Sequence, residues 1–322
     1  MGRFKRNLGP AVPIAGALAM WIVAVATVPA ETGPAVPGPQ SGASAPAQAS
    51  GYVGADTCMT CHEDQATKAS YADSPHARAA DPRSPAAAYG CESCHGPGEA
   101  HVEGGGDKTQ IKNPNTLRSS DVAEICLTCH NRGEPAAWDG SQHDGKNLSC
   151  VTCHSVHEAK SEASHLKKTG VLETCGQCHR DKLMKLDKSG HMPVREGKMD
   201  CASCHNPHGS RNNVRLLREG NSVGEACTSC HTEKRGPFLW EHAPVRENCA
   251  TCHDPHGSSN DRMLVAKLPF LCQRCHVHTR HPSTIYDNAV INTNTRIFNR
   301  GCVNCHQNLH GSNSPSGHTF LR

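Results

Sequence analysis

Hydrophobic residues are concentrated at the start of the chain. Three basic residues lie within the first six positions, an apolar run covers residues 11–28, and the small-residue sequence Val28-Pro29-Ala30 follows. This order predicts a secretory signal peptide over residues 1–30, cleaved after Ala30. The alternative is a retained membrane anchor, because the run approaches bilayer-spanning length; Pro13 and the small-residue end argue against it.

Beyond this run the apolar pattern weakens. Residues 31–50 are rich in Pro, Ala, Gly and Ser and predict a disordered linker, so the folded part should start near Gly51. No sustained alternation after Gly51 indicates strands. Only 36% of the chain is hydrophobic and 4% aromatic, which is little material for a core. Something other than side chains should fill the interior.

Charge excludes one class of partner. The chain has 33 Lys and Arg against 30 Asp and Glu, and removal of the three basic signal residues leaves the mature polypeptide formally neutral. No basic stripe indicates nucleic-acid binding, and we exclude it.

All 20 cysteines fall into ten copies of Cys-x-x-Cys-His, numbered here as motifs 1 to 10. The cysteines are Cys58, Cys61, Cys91, Cys94, Cys126, Cys129, Cys150, Cys153, Cys175, Cys178, Cys201, Cys204, Cys227, Cys230, Cys249, Cys252, Cys272, Cys275, Cys302 and Cys305. The histidines that close the motifs are His62, His95, His130, His154, His179, His205, His231, His253, His276 and His306.

This pentapeptide is the attachment signature of c-type haem. The two thiols form thioethers with the haem vinyl groups, and the adjacent histidine reaches the iron from one face as the proximal ligand. Residues three and four apart share one side of a helical turn, so short helices are expected at the motifs. Before motif 7, Ser222-Val-Gly-Glu225 predicts a capping box.

Three other chemistries use paired cysteines. Tetrahedral zinc sites do not require a histidine after every second cysteine. A redox-active dithiol would occur once, and ten tight pairs would make a poor disulfide scaffold. Ten complete motifs therefore predict ten covalently bound haems.

The remaining residues can supply the second axial ligands. Of 23 histidines, thirteen lie outside the motifs, whereas the mature chain has only five methionines, Met59, Met184, Met192, Met199 and Met263. We therefore expect bis-histidine iron throughout, at comparatively low potential. The methionines are expected to pack against porphyrin.

The spare histidines repeat with the motifs and define five two-motif units. In the first four units a lone histidine follows the first motif by 11 to 14 residues, and in all five another histidine follows the second motif closely. The lone histidines are His76, His143, His191 and His242; the others are His101, His157, His208, His256 and His310. A histidine three residues beyond a proximal ligand should bind a neighbouring haem, because it lies on the wrong face of its own.

The fifth unit departs from this pattern. We expect its distal ligand to be His281, which precedes Pro282, in preference to His278. His165 and His318 are then spare. The repeat is clearest between His191-Met-Pro-Val-Arg-Glu and His242-Ala-Pro-Val-Arg-Glu, which indicates duplication.

These features predict a multihaem cytochrome c: mostly loops with short helices wrapped round a linear array of ten haems, with little or no β-sheet. Motif order suggests an N-terminal pentahaem half over residues 51–190 and a C-terminal pentahaem half over residues 191–322.

Several segments carry a family resemblance. They are Cys91-Glu-Ser-Cys-His-Gly-Pro-Gly-Glu-Ala-His101-Val, the repeated Asn/Asp-Pro-His-Gly-Ser, and Cys302-Val-Asn-Cys-His-Gln-Asn-Leu-His310-Gly-Ser-Asn. With ten motifs, the chain resembles the MtrA/DmsE-type periplasmic decahaem cytochromes. The resemblance covers nearly all of residues 51–317 and implies distal ligation by His101, His208, His256 and His310.

By this resemblance, the chain is expected to be a periplasmic haem wire, associated with the outer membrane, that passes electrons across it inside a β-barrel partner. Periplasmic or inner-membrane cytochromes and an outer-surface multihaem cytochrome are further expected partners. Relatives serve metal reduction, sulfoxide respiration and iron oxidation, so direction stays open.

Two other functions compete with the conduit. One is a soluble periplasmic electron shuttle to a reductase. The other is a multihaem reductase enzyme, which would need an iron with an open coordination position. No altered motif such as Cys-x-x-Cys-Lys occurs, so we expect an electron-transfer protein and no catalytic residue.

Overall fold

Short helices and loops make up the described part of the molecule. The computed structural model describes residues 50–210, 215–276 and 301–321. In these ranges the α-helices are α1 (Ala55–Thr67), α2 (Ala69–Ala72), α3 (Glu92–His95), α4 (Glu99–Glu103), α5 (Ser119–Leu127), α6 (Cys150–Cys153), α7 (Val171–Gly176), α8 (Arg180–Leu186), α9 (Cys201–Cys204), α10 (Val223–Thr228), α11 (Ala243–Glu247) and α12 (Phe270–Gln273).

Between them lie 3₁₀ turns of three or four residues. They span Pro75–Ala77, Pro85–Ala87, Lys108–Gln110, Glu134–Ala137, Asp144–Lys146, Thr232–Lys234, Cys249–Thr251, Asp261–Met263, Cys302–Asn304 and Gly317–Thr319. The described ranges contain isolated β-bridges and no named strand. The predicted fold class is confirmed.

A helical turn forms at each motif, as the spacing predicts. In motifs 2 to 10 the histidine N–H donates to the carbonyl of the first cysteine at 2.9–3.1 Å. This four-residue closure puts both sulfurs and the imidazole on one side of the turn. In motif 1 the turn lies inside α1, whose backbone leaves helical geometry at His62.

Side chains cap several motif helices. The Ser222 hydroxyl accepts from the Glu225 N–H at 3.1 Å, as predicted, but the Glu225 carboxylate accepts from the Asn221 N–H instead of returning to Ser222. Complete capping boxes form instead at Ser149 before α6 and at Asp200 before α9. Caps of this kind stabilise turns too short to persist alone.

In units two, three and four, the chain leaves the second motif and then folds back onto it. His154, His205 and His253 form isolated antiparallel bridges with Leu166, Leu217 and Leu264, respectively. These bridges close a loop on each second motif, and the residue before each leucine holds a left-handed backbone.

Very few hydrophobic side chains are buried. Among the described residues they are Val122, Ala123, Trp138, Leu166 and Val194. Such a set is far too small to stabilise a chain of this length, which agrees with a fold organised around bound groups.

One buried carboxylate joins the start of the described chain to motif 2. Glu92 is 3% exposed. Its carboxylate accepts hydrogen bonds from the backbone N–H groups of Val53, Gly54 and Gly98 at 2.8–3.0 Å. Three charge-assisted bonds offset the cost of burying the side chain.

Consecutive units approach each other closely at the repeated His-Gly-Ser sequence. Gly209 and Gly257 have φ values of 127° and 117°, which favour glycine. A Cβ atom there would collide with the carbonyl oxygens of Ala137 and Lys185, which belong to the preceding units. Glycine is therefore needed at both positions to allow backbone contact between consecutive units.

The described residues belong to one compact body. The division into pentahaem halves at residue 190 stays a prediction. None of the described helices has the length and apolar character to cross a bilayer.

Candidate haem-binding sites

Nine of the ten proximal histidines lie opposite another imidazole ring. The ring centroids are 5.9–6.3 Å apart in the pairs His62–His101, His95–His157, His130–His76, His154–His208, His179–His143, His205–His256, His231–His191, His253–His310 and His276–His242. For His306 the candidates His278 and His281 lie outside the described residues.

This separation fits one iron between each pair of rings. A metal–imidazole bond of about 2 Å on either side, added to the half-widths of two rings, places the ring centres about 6 Å apart. The residues present therefore fit bis-histidine ligation. Nine of the ten predicted distal histidines stand in such pairs.

The pairs follow a register that links the five units. Each lone histidine faces the first motif of the next unit, as His76 faces His130. In units two to five, the histidine that follows the second motif faces the second motif of the preceding unit, as His157 faces His95. Every such pair therefore fastens two consecutive units together.

Motifs 1 and 10 stand outside this register. Motif 1 has no preceding unit to supply a lone histidine, and its His62 is faced by His101 of the same unit. For His306 of motif 10, the fifth unit offers His278 and His281, and the choice of His281 stays a prediction.

The cysteines show that the motifs adjoin in sequence order. Within units the first cysteines interact: Cys58 with Cys91, Cys126 with Cys150, Cys175 with Cys201, Cys227 with Cys249, and Cys272 with Cys302. Between units the second cysteines interact: Cys94 with Cys129, Cys153 with Cys178, Cys204 with Cys230, and Cys252 with Cys275. Each motif thus has its sequence neighbours as its spatial neighbours.

Backbone carbonyls orient the proximal rings of the second motifs. The Nδ1 atoms of His95, His154, His205, His253 and His306 lie 2.5–3.0 Å from the carbonyls of Lys112, Ser164, Arg215, Arg262 and Thr319. An Nδ1–H that donates to a carbonyl leaves the Nε2 lone pair free for iron and raises its basicity. The returning loops supply this second interaction.

Several distal rings are oriented in the same way. Nδ1 of His101 lies 2.9 Å from the Asp107 carbonyl, and Nδ1 of His143 lies 2.8 Å from the Pro207 carbonyl in the next unit. His256 Nδ1 contacts the Asp254 carboxylate at 3.3 Å. These contacts favour the tautomer that presents Nε2 to a metal.

Burial favours the protonation state that ligation needs. Loss of solvent lowers the pKa of seven rings below the usual histidine value, because the charged form is poorly solvated. They are His76, His154, His157, His208, His242, His256 and His310. A neutral imidazole is the form that binds iron.

The residues expected to be spare occupy different surroundings. His318 packs edge-on against Trp240, with ring centroids 5.8 Å apart. His165 instead lies 5.8 Å from the ring of His76. Met184 and Met192 are 61% and 72% exposed. Their predicted packing against porphyrin stays a prediction.

Known proteins with paired haem motifs match this sequence. A family model described as a doubled CXXCH motif matches residues 191–236 and 242–281, and one described as cytochrome c-type protein NrfB-like matches residues 91–178. The multiheme cytochrome MtrA of Shewanella baltica is 40% identical over 275 residues, which cover 84% of this chain and 81% of that protein. The chain belongs to the MtrA family.

More distant relatives agree in part. The cytochrome c-type protein NrfB of Escherichia coli O6:H1 is 30% identical over 94 residues, 28% of this chain and 49% of that protein. An undecaheme cytochrome from the S-layer of Carboxydothermus ferrireducens is 19% identical, over 73% of this chain and 33% of that one. Its TM-score of 0.12 is too low to carry an argument.

Membership in the MtrA family confirms the resemblance predicted from the motifs. The chain is a multihaem c-type cytochrome, an electron-transfer protein, and the paired motifs hold covalently bound haem c. The sequence did not reveal which distal histidine faces which motif, because that register joins residues of different units.

Proposed function

We propose that this MtrA-family cytochrome carries ten covalently bound haems and conducts electrons across the outer membrane inside a β-barrel partner. The observation that carries the proposal is the serial contact of the motifs. Electrostatic interactions between thiols relate each motif to its neighbours in sequence from motif 1 to motif 10, and histidine pairs join every unit to the next. The periplasmic location is part of the same proposal.

Three sets of residues in the chain would keep the haems in this order. Twenty cysteines would anchor the haems, ten motif histidines would each ligate one iron, and a second histidine, from an adjacent unit in eight of the nine described pairs, would provide the other ligand. Each bound haem supplies a one-electron iron couple, and low-spin bis-histidine ligation keeps its two oxidation states similar in structure. Shared ligation keeps neighbouring units in register.

A conduit of this kind requires insulation from lipid. The hydrocarbon layer is about 30 Å thick, and backbone groups in loops cannot be left without hydrogen bonds in contact with it. The described chain is mostly loops. A β-barrel around the chain would satisfy this requirement, since its own backbone groups are paired internally.

The haem count is the first test of the proposal. The purified full chain, matured with haem, should show an intact mass equal to the mature polypeptide plus ten haems, because ten motifs are complete. Its ferric irons should all be low-spin, because histidines outnumber distal sites. A mass with fewer than nine haems, or a large high-spin signal in the resting protein, would contradict it.

A further inference from the structure

His165 occupies a position that recurs in four units. Backbone carbonyls of His165, Leu216, Met263 and Phe320 each accept an N–H from just beyond a second-motif histidine, for example Ser155 N–H to His165 at 2.8 Å. All four residues have a positive φ, between 48° and 60°. The position therefore has the same backbone in units two to five and differs in its side chain.

In units two and five, the side chain at this position packs against the lone histidine that faces the first motif of that unit. The Phe320 ring is 5.5 Å from His242 at 53°, and the His165 ring is 5.8 Å from His76 at 51°. His242 faces the first motif of unit five, and His76 faces that of unit two. His165 therefore stands beside the distal ligand of motif 3.

Packing alone does not require histidine here. The other units place leucine, methionine or phenylalanine at the position. In unit two the Nδ1 atoms of both His165 and His76 are buried without a hydrogen-bond partner. A buried polar nitrogen without a partner is unfavourable, so an apolar side chain would be more stable here if packing were the only role.

We propose that His165 is a reserve axial ligand for the iron at motif 3, able to replace His76. The inference rests on the proposed ligation of that iron by His130 and His76. The exchange breaks one iron–imidazole bond and forms another, and both ligands are neutral, so charge and oxidation state are unchanged. The iron keeps six ligands and its place in the path.

Motif 5 provides a matched control site that has no reserve ligand. Its distal ligand His143 is also a lone histidine, and the corresponding position of its unit holds Leu216. Removal of His143 should leave an iron with no imidazole to replace it. The chain thus contains both the test site and its control.

The experiment compares four variants of the haem-loaded full chain by the ferric high-spin signal in electron paramagnetic resonance. We expect no high-spin haem in the His165→Leu and His76→Ala variants. We expect one high-spin haem per molecule in His143→Ala and in the double variant His76→Ala/His165→Leu. Intact mass must show ten haems in each.

The outcomes distinguish a failure of the reserve-ligand proposal from a failure of the axial-ligand assignment on which it rests. If His76→Ala gains one high-spin haem, as His143→Ala does, His165 is not a reserve ligand. If the double variant also stays fully low-spin, another residue replaces His76 and the proposal is wrong. If His143→Ala stays low-spin, the assignment of the lone histidines itself fails.

Discussion

Replacement of Gly257 by alanine is expected to destabilise the contact between the third and fourth units. The new Cβ would overlap the Lys185 carbonyl oxygen and lie 3.0 Å from Gly190 Cα, at a backbone φ of 117°. These neighbours are backbone atoms and cannot rotate away. We expect a loss of about 3 kcal/mol, the upper range for overpacking, because strain at positive φ adds to it.

Thermal unfolding of the haem-loaded protein measures this effect. A loss of that size lowers the midpoint by roughly 5 °C in a chain of this length. Gly170→Ala is the control, since its Cβ would meet no atom within 4 Å and its φ of −164° is ordinary extended backbone. Equal midpoints for the two variants would show that the units do not pack as described.

Replacement of His256 by methionine is expected to interrupt conduction in the middle of the array. His256 faces His205, so the iron at motif 6 would become histidine–methionine ligated and its potential would rise. An upward shift of about 0.1 V in its reduction potential raises the free energy needed for an electron to leave this haem by about 2.3 kcal/mol. Onward transfer would then slow roughly 50-fold.

A redox titration should show one haem in ten displaced to higher potential, and electron flux through the barrel-bound protein should fall. His165→Met is the matched control, because Met263 occupies the corresponding position of unit four and His165 is not a resting ligand. If the His256→Met flux equals that of the control, motif 6 does not lie on the path.

The local features were accessible from sequence. Ten Cys-x-x-Cys-His copies predict helical turns at the motifs, and the structure forms them, because a four-residue closure depends only on neighbouring residues. The Ser222 cap was predicted for the same reason. The capping boxes at Ser149 and Asp200 have threonine and serine, not glutamate or glutamine, at the third helical position, and were missed.

Relations between units were not accessible. The pairing of His76 with His130 joins two units, and no periodicity in the chain indicates which motif a lone histidine should face. The repeated His-Gly-Ser was visible as a repeat, but the need for Gly209 depends on the Ala137 carbonyl of the preceding unit. His165 appeared spare because its neighbour is distant in sequence.

Electron transfer through the barrel-bound protein across a closed membrane tests the central claim most directly. Proteoliposomes would hold a reducible dye inside and an electron donor outside that cannot cross the bilayer, with the barrel inserted either alone or with the haem-loaded chain. We expect rapid reduction of the dye only when both proteins are present, because the serial motifs supply the path. Equal rates with the barrel alone would contradict the account.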